Sequence, residues 1–565
     1  MKKVLCLVLT CMLVLSAFGT IAFASEDEII IKTGTEFKNF VKSTNFGKTF
    51  IIEGTETLAD GSTGIVLLSD QSSVSGFYGT LRGVEGKNNI QISKPLITSV
   101  GGENTGDVAI DNIILKGANE DGTGAVSYAD HAGALICSAA TNYPFTVTIS
   151  NVTNNLDVST TKANSYVGGL IGFIRYRTVD FINCVNNRNV VANGTNSVGG
   201  FVGGVRETEN VTFNGCINYG DVSTATNTKA GGILGSQYGS VLATITNCAN
   251  YGNITSTATT ANTTGAGGIS GSTARVSNCF NAGTITSATM AGGILGTALN
   301  ESLEITNCFN VGSVTSTSAT NSPAGIVGSY SATGCIVTNS YNLGTITGTN
   351  PKQIIDNKTT KVDELCVNNY CTNAKDTNDS MVGTQVTLND LAKGLPEGFS
   401  TDVWTYTKDA EYNYSLPQLK DNLFTNDVND AWFFEVQEEI TEVTVTTTPL
   451  AFTGTTDPDF VPTTETGEEI TGGYSVVAAR FVLPTGVTVA DVEFGMLISK
   501  TVSGEDLTAE TCTKKAIASK NYNCAFGILF YGNMVDGDTY YVRPYVKYND
   551  AYTYGDGTSF VFDAE

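Results

Sequence analysis

Gly231-Gly232-Ile233-Leu234-Gly235, followed by Asn247-Cys248-Ala249-Asn250-Tyr251-Gly252-Asn253-Ile254-Thr255, is one turn of a phrase that recurs between residues 167 and 347. The first half returns as Gly168-Gly169-Leu170-Ile171-Gly172, Gly199-Gly200-Phe201-Val202-Gly203, Gly267-Gly268-Ile269-Ser270-Gly271, Gly292-Gly293-Ile294-Leu295-Gly296 and Ala324-Gly325-Ile326-Val327-Gly328. The second half sets Cys184, Cys216, Cys248, Cys279 and Cys308 in one column, with Val152 and Ser340 at its ends. Two residues on, Asn154, Asn186, Asn218, Asn250, Asn281, Asn310 and Asn342 form another. Short β-type runs, glycine corners and a period of roughly 30 residues mean a solenoid of stacked coils. Successive second glycines lie 31, 32, 36, 25 and 32 residues apart, and the variation falls in Thr/Ser/Asn/Ala tracts such as 256–264. Such tracts are expected as loops on one side of the coils, where binding segments usually sit.

The columns have a physical logic. Stacked strands repeat at about 4.8 Å with parallel side chains, a poor geometry for S–S bonds, so the column cysteines are expected as buried, unbridged small hydrophobes. The asparagines turn inward at a bend, where a stack of amides can satisfy backbone groups left unpaired. Both columns are therefore a structural ladder rather than a site. Outside the core, Tyr219, Tyr251, Phe280, Phe309 and Tyr341 recur in neighbouring coils. They are either a stacking platform for glycan or protein, or packing beneath long loops. Phe173, Arg175, Tyr176 and Arg177 make a second candidate, because an arginine can neutralise a uronate while a ring stacks on sugar. The bland alternative is an amphipathic outer strand.

At the Gly-Gly-apolar-apolar-Gly and Asn-Cys-x-Asn-x-Gly phrases the chain resembles the GLUG-motif repeats of bacterial surface proteins. The resemblance covers residues 28–424, including helix-like 33–41, Gly76-Phe77-Tyr78-Gly79-Thr80-Leu81-Arg82-Gly83, Trp404 and 416–419. It implies a right-handed parallel β-helix, secreted and often adhesin-like, with short capping helices. GLUG repeats also occur beside metallopeptidases that cleave immunoglobulin A, which need His-Glu-x-x-His. This chain has one histidine, His131, and that chemistry is excluded. Within 440–565, Tyr540-Tyr541-Val542-Arg543-Pro544-Tyr545-Val546 is similar to the penultimate strand of fibronectin type III or immunoglobulin-like modules.

The chain opens as a secretory signal over residues 1–24, with Lys2 and Lys3, an apolar core and Ala22-Phe23-Ala24 as cleavage site. Next come an N-terminal cap and first coils (25–108), where Thr33-Gly34-Thr35-Glu36 is a capping-box pattern before a short helix. The repeats proper (109–349) begin by Ile110. A C-terminal cap (350–424) holds a second short helix from Thr387, and a linker (425–439) precedes a β-sandwich (440–565). In that sandwich, strands are expected at 441–447, 474–483, 491–499, 524–530, 539–548 and 559–562. The architecture is all-β.

The formal charge of −24 becomes −26 when Lys2 and Lys3 are removed, which argues against nucleic acid as partner. No later segment is long and apolar enough for a membrane span. Eleven cysteines follow the signal, and outside the column Cys366/Cys371 and Cys512/Cys524 are the disulfide candidates, while Cys137 and Cys335 have no evident partner. No cofactor is implied; an acidic surface leaves calcium open without a specific motif for it.

Catalytic constellations are scarce. His131, beside Asp130 in a polar turn, is expected as a surface histidine with no nucleophile near it. Between residues 150 and 350 the acids Asp157, Asp180, Glu207, Glu209, Asp221, Glu301 and Glu304 form no stacked acid/base pair. A threonine lattice at 284–286, 313–315 and 345–347 is broken by Asn253, Asp221 and Asn189 in equivalent coils. The sequence therefore points to an extracellular, adhesin-like protein that binds glycan or a surface protein through loops and the outer face. The alternative is a polysaccharide lyase or glycosidase on the β-helix.

Overall fold

The computed structural model describes residues 28–563 apart from 69–72, 103–104, 141–142, 144, 161, 193–196, 208–209, 226–228, 258, 260–263, 299–302, 329–334, 356–365, 374–382, 393, 406–413, 421–432, 435–443, 454–468, 471–473, 484–486 and 519–523. The signal segment and most of the 425–439 linker lie outside the described residues. The chain divides into two compact units, 1–435 and 436–565.

The first unit is a parallel β-solenoid. An eleven-strand wall starts at Glu28–Ile31 and ends at Ile336–Thr338, and a thirteen-strand wall carries the asparagine column. Eight-, six- and five-strand walls complete the coils. Pairing is in register from coil to coil: Val179 sits on Val147 and under Val211, and Phe181 on Ile149 and under Phe213. Like therefore stacks on like, giving one continuous apolar core along the solenoid.

Parallel stacking begins at Glu28–Ile31, earlier than the repeat signature, which shows only by Ile110. The first coils hold the register without the phrase because alternation alone buries Phe50, Ile52 and Leu81. Helix α1 (Gly34–Phe40) follows the first strand; its N-cap Thr33 accepts a hydrogen bond from the Glu36 amide, and Phe37 plugs into the solenoid core. The Glu36 carboxylate receives the Lys32 amide at 2.6 Å, one residue outside the reciprocal capping-box partner.

Two kinds of corner shape each coil. The residue before the column cysteine adopts left-handed backbone, as in Asn183 (φ 52°), Asn247 (φ 55°), Asn278 (φ 53°) and Asn307 (φ 52°), with Gly215 in the same place (φ 69°). Asparagine tolerates that region better than most residues. At the Gly-Gly step the requirement is close approach: a Cβ on Gly232 would lie 2.1 Å from the Gly268 carbonyl oxygen. That oxygen belongs to the same step of the next coil, and the Asn250 side-chain amide lies 2.5 Å away, so successive coils can stack here only where the Cβ atom is missing.

The C-terminal cap departs from a simple end plug. Residues 384–385 still pair on the last rung of the thirteen-strand wall. Helix α2 (Leu388–Ala392) and the described residues 394–405 and 414–419 then lie back along that wall's outer flank. There Leu391, Phe399, Trp404, Leu416 and Leu419 cover Phe280, Phe309 and Tyr341. Trp404 is fully buried and reaches Phe309 with its ring 6.1 Å away.

The second unit is a two-layer β-sandwich. A three-strand antiparallel sheet (Thr444–Thr453, Tyr474–Val482, Ala525–Tyr531) faces a five-strand one (Glu493–Ser499, Lys514–Ile517, Thr539–Tyr548, Ala551–Tyr554, Thr558–Val561). Val477, Phe481, Phe494, Met496, Val542 and Val546 fill the space between. Lys514–Ile517 and Ala551–Tyr554 are strands that the alternation pattern misses. The latter closes a hairpin on Asn549 (φ 48°) and Asp550 (φ 62°), the two-residue turn those residue types favour.

Neither expected disulfide forms; all eleven cysteines after the signal are thiols. Cys371 occupies the ladder register beside Asn342, whereas the Cys366 sulfur accepts the Val337 amide at 3.3 Å elsewhere on the coil. Cys524 borders the core between the sheets, while Cys512 packs near Leu497 and Tyr545 on the other face. In each pair the two thiols are packed in different surroundings, so no bridge joins them.

Candidate functional site

The sequence-predicted residues fall into separate environments. Cys184, Cys216, Cys248, Cys279 and Cys308 are buried in the core, and burial raises each thiol's pKa, that of Cys308 to about 12. Asn154, Asn186, Asn218, Asn250, Asn281, Asn310 and Asn342 form a continuous chain in which each amide nitrogen donates to the next coil's amide oxygen at 2.7–2.8 Å. Gln353 accepts from Asn342 and ends it. Each nitrogen also donates to a carbonyl two residues on, so the ladder fastens every bend to the next.

The expected aromatic platform is largely occupied. Phe280, Phe309 and Tyr341 do point away from the solenoid core, and their rings stack at 4.8 and 5.0 Å, but the C-terminal cap buries them completely. The Tyr341 hydroxyl donates to the Pro417 carbonyl at 2.7 Å. Tyr219 and Tyr251 follow the ladder asparagine where the other three precede it, so they belong to a different column. They stack at 4.9 Å, with Tyr219 40% exposed.

The Phe173–Arg177 group is split by its own backbone. Tyr176 sits in left-handed conformation (φ 57°), turning the chain between Arg175 and Arg177. Arg177 is buried with its guanidinium 4.4 Å from the Phe145 ring centroid. Arg175 faces out, 4.2 Å over the Tyr176 ring and 2.6 Å from the Glu207 carboxylate. The Tyr176 hydroxyl and Arg175 hold the Glu207 carboxyl below its usual pKa.

These residues lie along a re-entrant corner, or cleft, where the five- and six-strand walls meet and their outward rows touch. Along the five-strand wall, register stacks Phe173, Gly204 and Ser236 in one row, and Arg175, Arg206 and Tyr238 in the next row on the same face. Across from them, Val167, Val198 and Ala230 stack in register, which puts the preceding residues Tyr166, Ser197 and Lys229 in a facing row. Tyr166 stacks on Phe173 at 4.7 Å and spreads over Gly204, where a Cβ would come within 2.2 Å of its ring. His131 closes this end, 4.8 Å from Phe173, with Nδ1 accepting the Tyr166 amide. It is thus a packed histidine whose pKa burial lowers, and not the surface histidine of the sequence reading.

At the other end of the cleft Lys229 is only 2% exposed, with its ammonium 5.1 Å from the Tyr238 ring centroid. Burial alone lowers its pKa to about 8. Among the described residues no carboxylate or hydrogen-bond acceptor reaches it. The Tyr166 phenol, pushed up by burial and by Tyr238, is pulled down by Arg206, which ties the whole row into one electrostatic neighbourhood. Lys229 escapes sequence reasoning because only the register reveals its column, where other coils carry Tyr166, Ser197, Gly265 and Met290.

The acids provide no acid/base pair among the described residues. Asp157 is bound to Arg188 at 3.1 Å, Asp180 to the Thr212 hydroxyl, and Asp221 to the Asn253 amide at 2.8 Å. Glu209 and Glu301 lie outside the described residues. Asn189, Asp221 and Asn253 each accept the backbone amide of the next coil, so the residues that interrupt the threonine lattice are a second ladder. In the sandwich unit, a cavity of about 560 Å³ is lined by Ile498, Lys500, Phe530, Tyr531, Met534 and Tyr540, with Lys500 paired to Asp538. No group of three or more His, Cys, Asp or Glu among the described residues is placed to hold a metal, and no described helix is long and apolar enough to cross a membrane.

Neither family models nor curated proteins yield a match to this chain. A search of solved structures returns the crystal structure of a "putative immunoglobulin A1 protease" from Bacteroides ovatus, 16% identical, covering 70% of this chain and 94% of that one at a TM-score of 0.33. At that score the likeness carries no weight for fold or activity.

Proposed function

We propose that this chain is an extracellular, adhesin-like protein that binds glycan through the cleft between the five- and six-strand walls of its solenoid. The observation that carries this reading is the exposed row of Arg175, Arg206 and Tyr238, the last 43% exposed, on a rigid wall. Flat rings cover the apolar face of a pyranose, and guanidinium groups donate paired hydrogen bonds to hydroxyl and carboxylate oxygens. Binding demands no moving parts here, since the wall fixes the rings at strand spacing and little ordering entropy remains to be lost.

The test is a panel of oligosaccharides assayed for both binding and bond cleavage. Wild-type protein is expected to bind a subset without releasing reducing or unsaturated ends, and the double variant Arg206→Ala/Tyr238→Ala is expected to lose at least tenfold in affinity. Release of new ends would replace the adhesin reading with that of a lyase or glycosidase. An unchanged double variant would move the site elsewhere, the stacked Tyr219 and Tyr251 being the next surface to try.

A further inference from the structure

Lys229 is a described cleft residue whose charge the solenoid does not use. Its stem lies in the six-strand wall, where Gly265 and Met290 serve in the neighbouring coils, so the position does not need a charge for packing. Lys229 is only 2% exposed, yet no described carboxylate answers it: Glu207 is engaged by Arg175 at 2.6 Å and Arg206 at 3.6 Å, and Asp130, at the His131 end, by Lys162 at 3.0 Å. Across the cleft the Ser236 hydroxyl is buried with no hydrogen-bond partner. Register puts it on the same face as Gly204, whose missing Cβ points at Tyr166, so it faces the Lys229 side. A desolvated cation and an unsatisfied hydroxyl in one cleft are both costly unless something pairs with them.

We infer that Lys229, with Arg206 and Tyr238 at its rim, is a subsite for a single carboxylate, so that the glycan bound in the cleft is an acidic one bearing uronate or sialate groups. The inference rests on the proposed glycan binding and adds its chemical class. The surroundings favour a sugar acid over an acidic peptide. Tyr238 stands beside the ammonium as a ring that can cover a pyranose face while the carboxylate attached to that ring meets the cation, and Tyr166 and Phe173 continue the aromatic surface along the cleft. Among the described residues Arg175 and Arg206 share the Glu207 carboxylate and Lys229 meets none, so on a chain of net charge −24 this stretch of the cleft carries an excess of cations that gives an anionic ligand somewhere to settle.

The experiment compares sialyl- and uronate-terminated oligosaccharides with their desialylated or carboxyl-reduced counterparts, against wild type, Lys229→Met and Lys229→Arg. Wild type is expected to prefer the acidic member of each pair by at least tenfold, more weakly at high salt. Lys229→Met is expected to abolish that preference while still melting cooperatively. Lys229→Arg is expected to keep part of the preference, which shows that charge and not shape is read. Equal binding of acidic and neutral sugars by wild type, or an unaltered preference in a folded Lys229→Met, overturns the carboxylate subsite while leaving glycan binding standing. Binding of acidic peptides in place of sugars, lost in Lys229→Met, overturns the ligand class. Absence of any glycan binding removes both readings.

Discussion

Lys229 holds a charge where a methionine of similar length would pack without desolvation. Its folded pKa of about 8 against 10.5 for the free side chain means that protonation is disfavoured by the fold. The penalty is therefore present below pH 8 and relieved as pH rises from 8 to 10.5, where the unfolded chain still holds the proton. Lys229→Met is expected to be more stable than wild type at pH 7 by up to about 3 kcal/mol, with the gap closing by pH 10.5; parallel urea titrations at several pH values measure it. The cysteines titrate in the opposite sense. Burial raises Cys137 and Cys308 to about 12 from 9.0, so their contribution is intact below pH 9 and is lost as pH climbs toward 12. A thiol reagent at pH 8 is expected to label Cys512 and Cys524, which are partly exposed, and to reach the nine solenoid thiols only after unfolding. Fast labelling of Cys216 or Cys248 in native protein would contradict the packing.

At the scale of the element, the asparagine ladder and the Gly-Gly step fasten coil to coil. Asn218→Ala removes the acceptor for Asn186, the donor to Asn250 and the partner of the Gly220 carbonyl. A loss of roughly 3 kcal/mol is expected from buried groups left unpaired, seen as a lower urea midpoint. Gly232→Ala is expected to be worse, since its Cβ meets backbone at 2.1 Å and no side chain can swing aside. These two elements were legible in the sequence because each repeats at fixed spacing. The left-handed asparagine before each cysteine could have been recognised from the same phrase, as its residue type favours that conformation. Of the two missed sandwich strands, Lys514–Ile517 lacks the alternating β-branched pattern, whereas Ala551–Tyr554 carries Tyr and Thr; each pairs with an edge that a neighbouring strand offers.

For the molecule as a whole, separate cores in residues 1–435 and 436–565 lead us to expect two calorimetric transitions. Trp404→Ala is expected to shift the solenoid transition alone, by about 3–5 kcal/mol, and to expose Phe309 and Tyr341 to a hydrophobic dye. A shift of both transitions would mean that the two cores melt as one. The cap's position explains the fate of the aromatic column. Outward direction was readable from the alternation of Cys308, Phe309 and Asn310, but exposure was not. Whether an outward ring meets solvent depends on a segment almost 100 residues later folding back over it, as Trp404 does when its indole approaches Asn307.

The sequence by itself determined the solenoid, its period, the buried cysteine column and the asparagine ladder, because a repeated local pattern permits only one register that buries every apolar residue. Only the tertiary structure decided what is left for a ligand. It covered Phe280, Phe309 and Tyr341, turned Arg177 away from Arg175 at Tyr176, and packed His131 under Tyr166. It also brought Arg206 of one coil beside Lys229 and Tyr238 of the next. The physical reason is that columns are set by near neighbours on stacked strands, whereas a cleft is set by which walls face each other and which segments return to cover them.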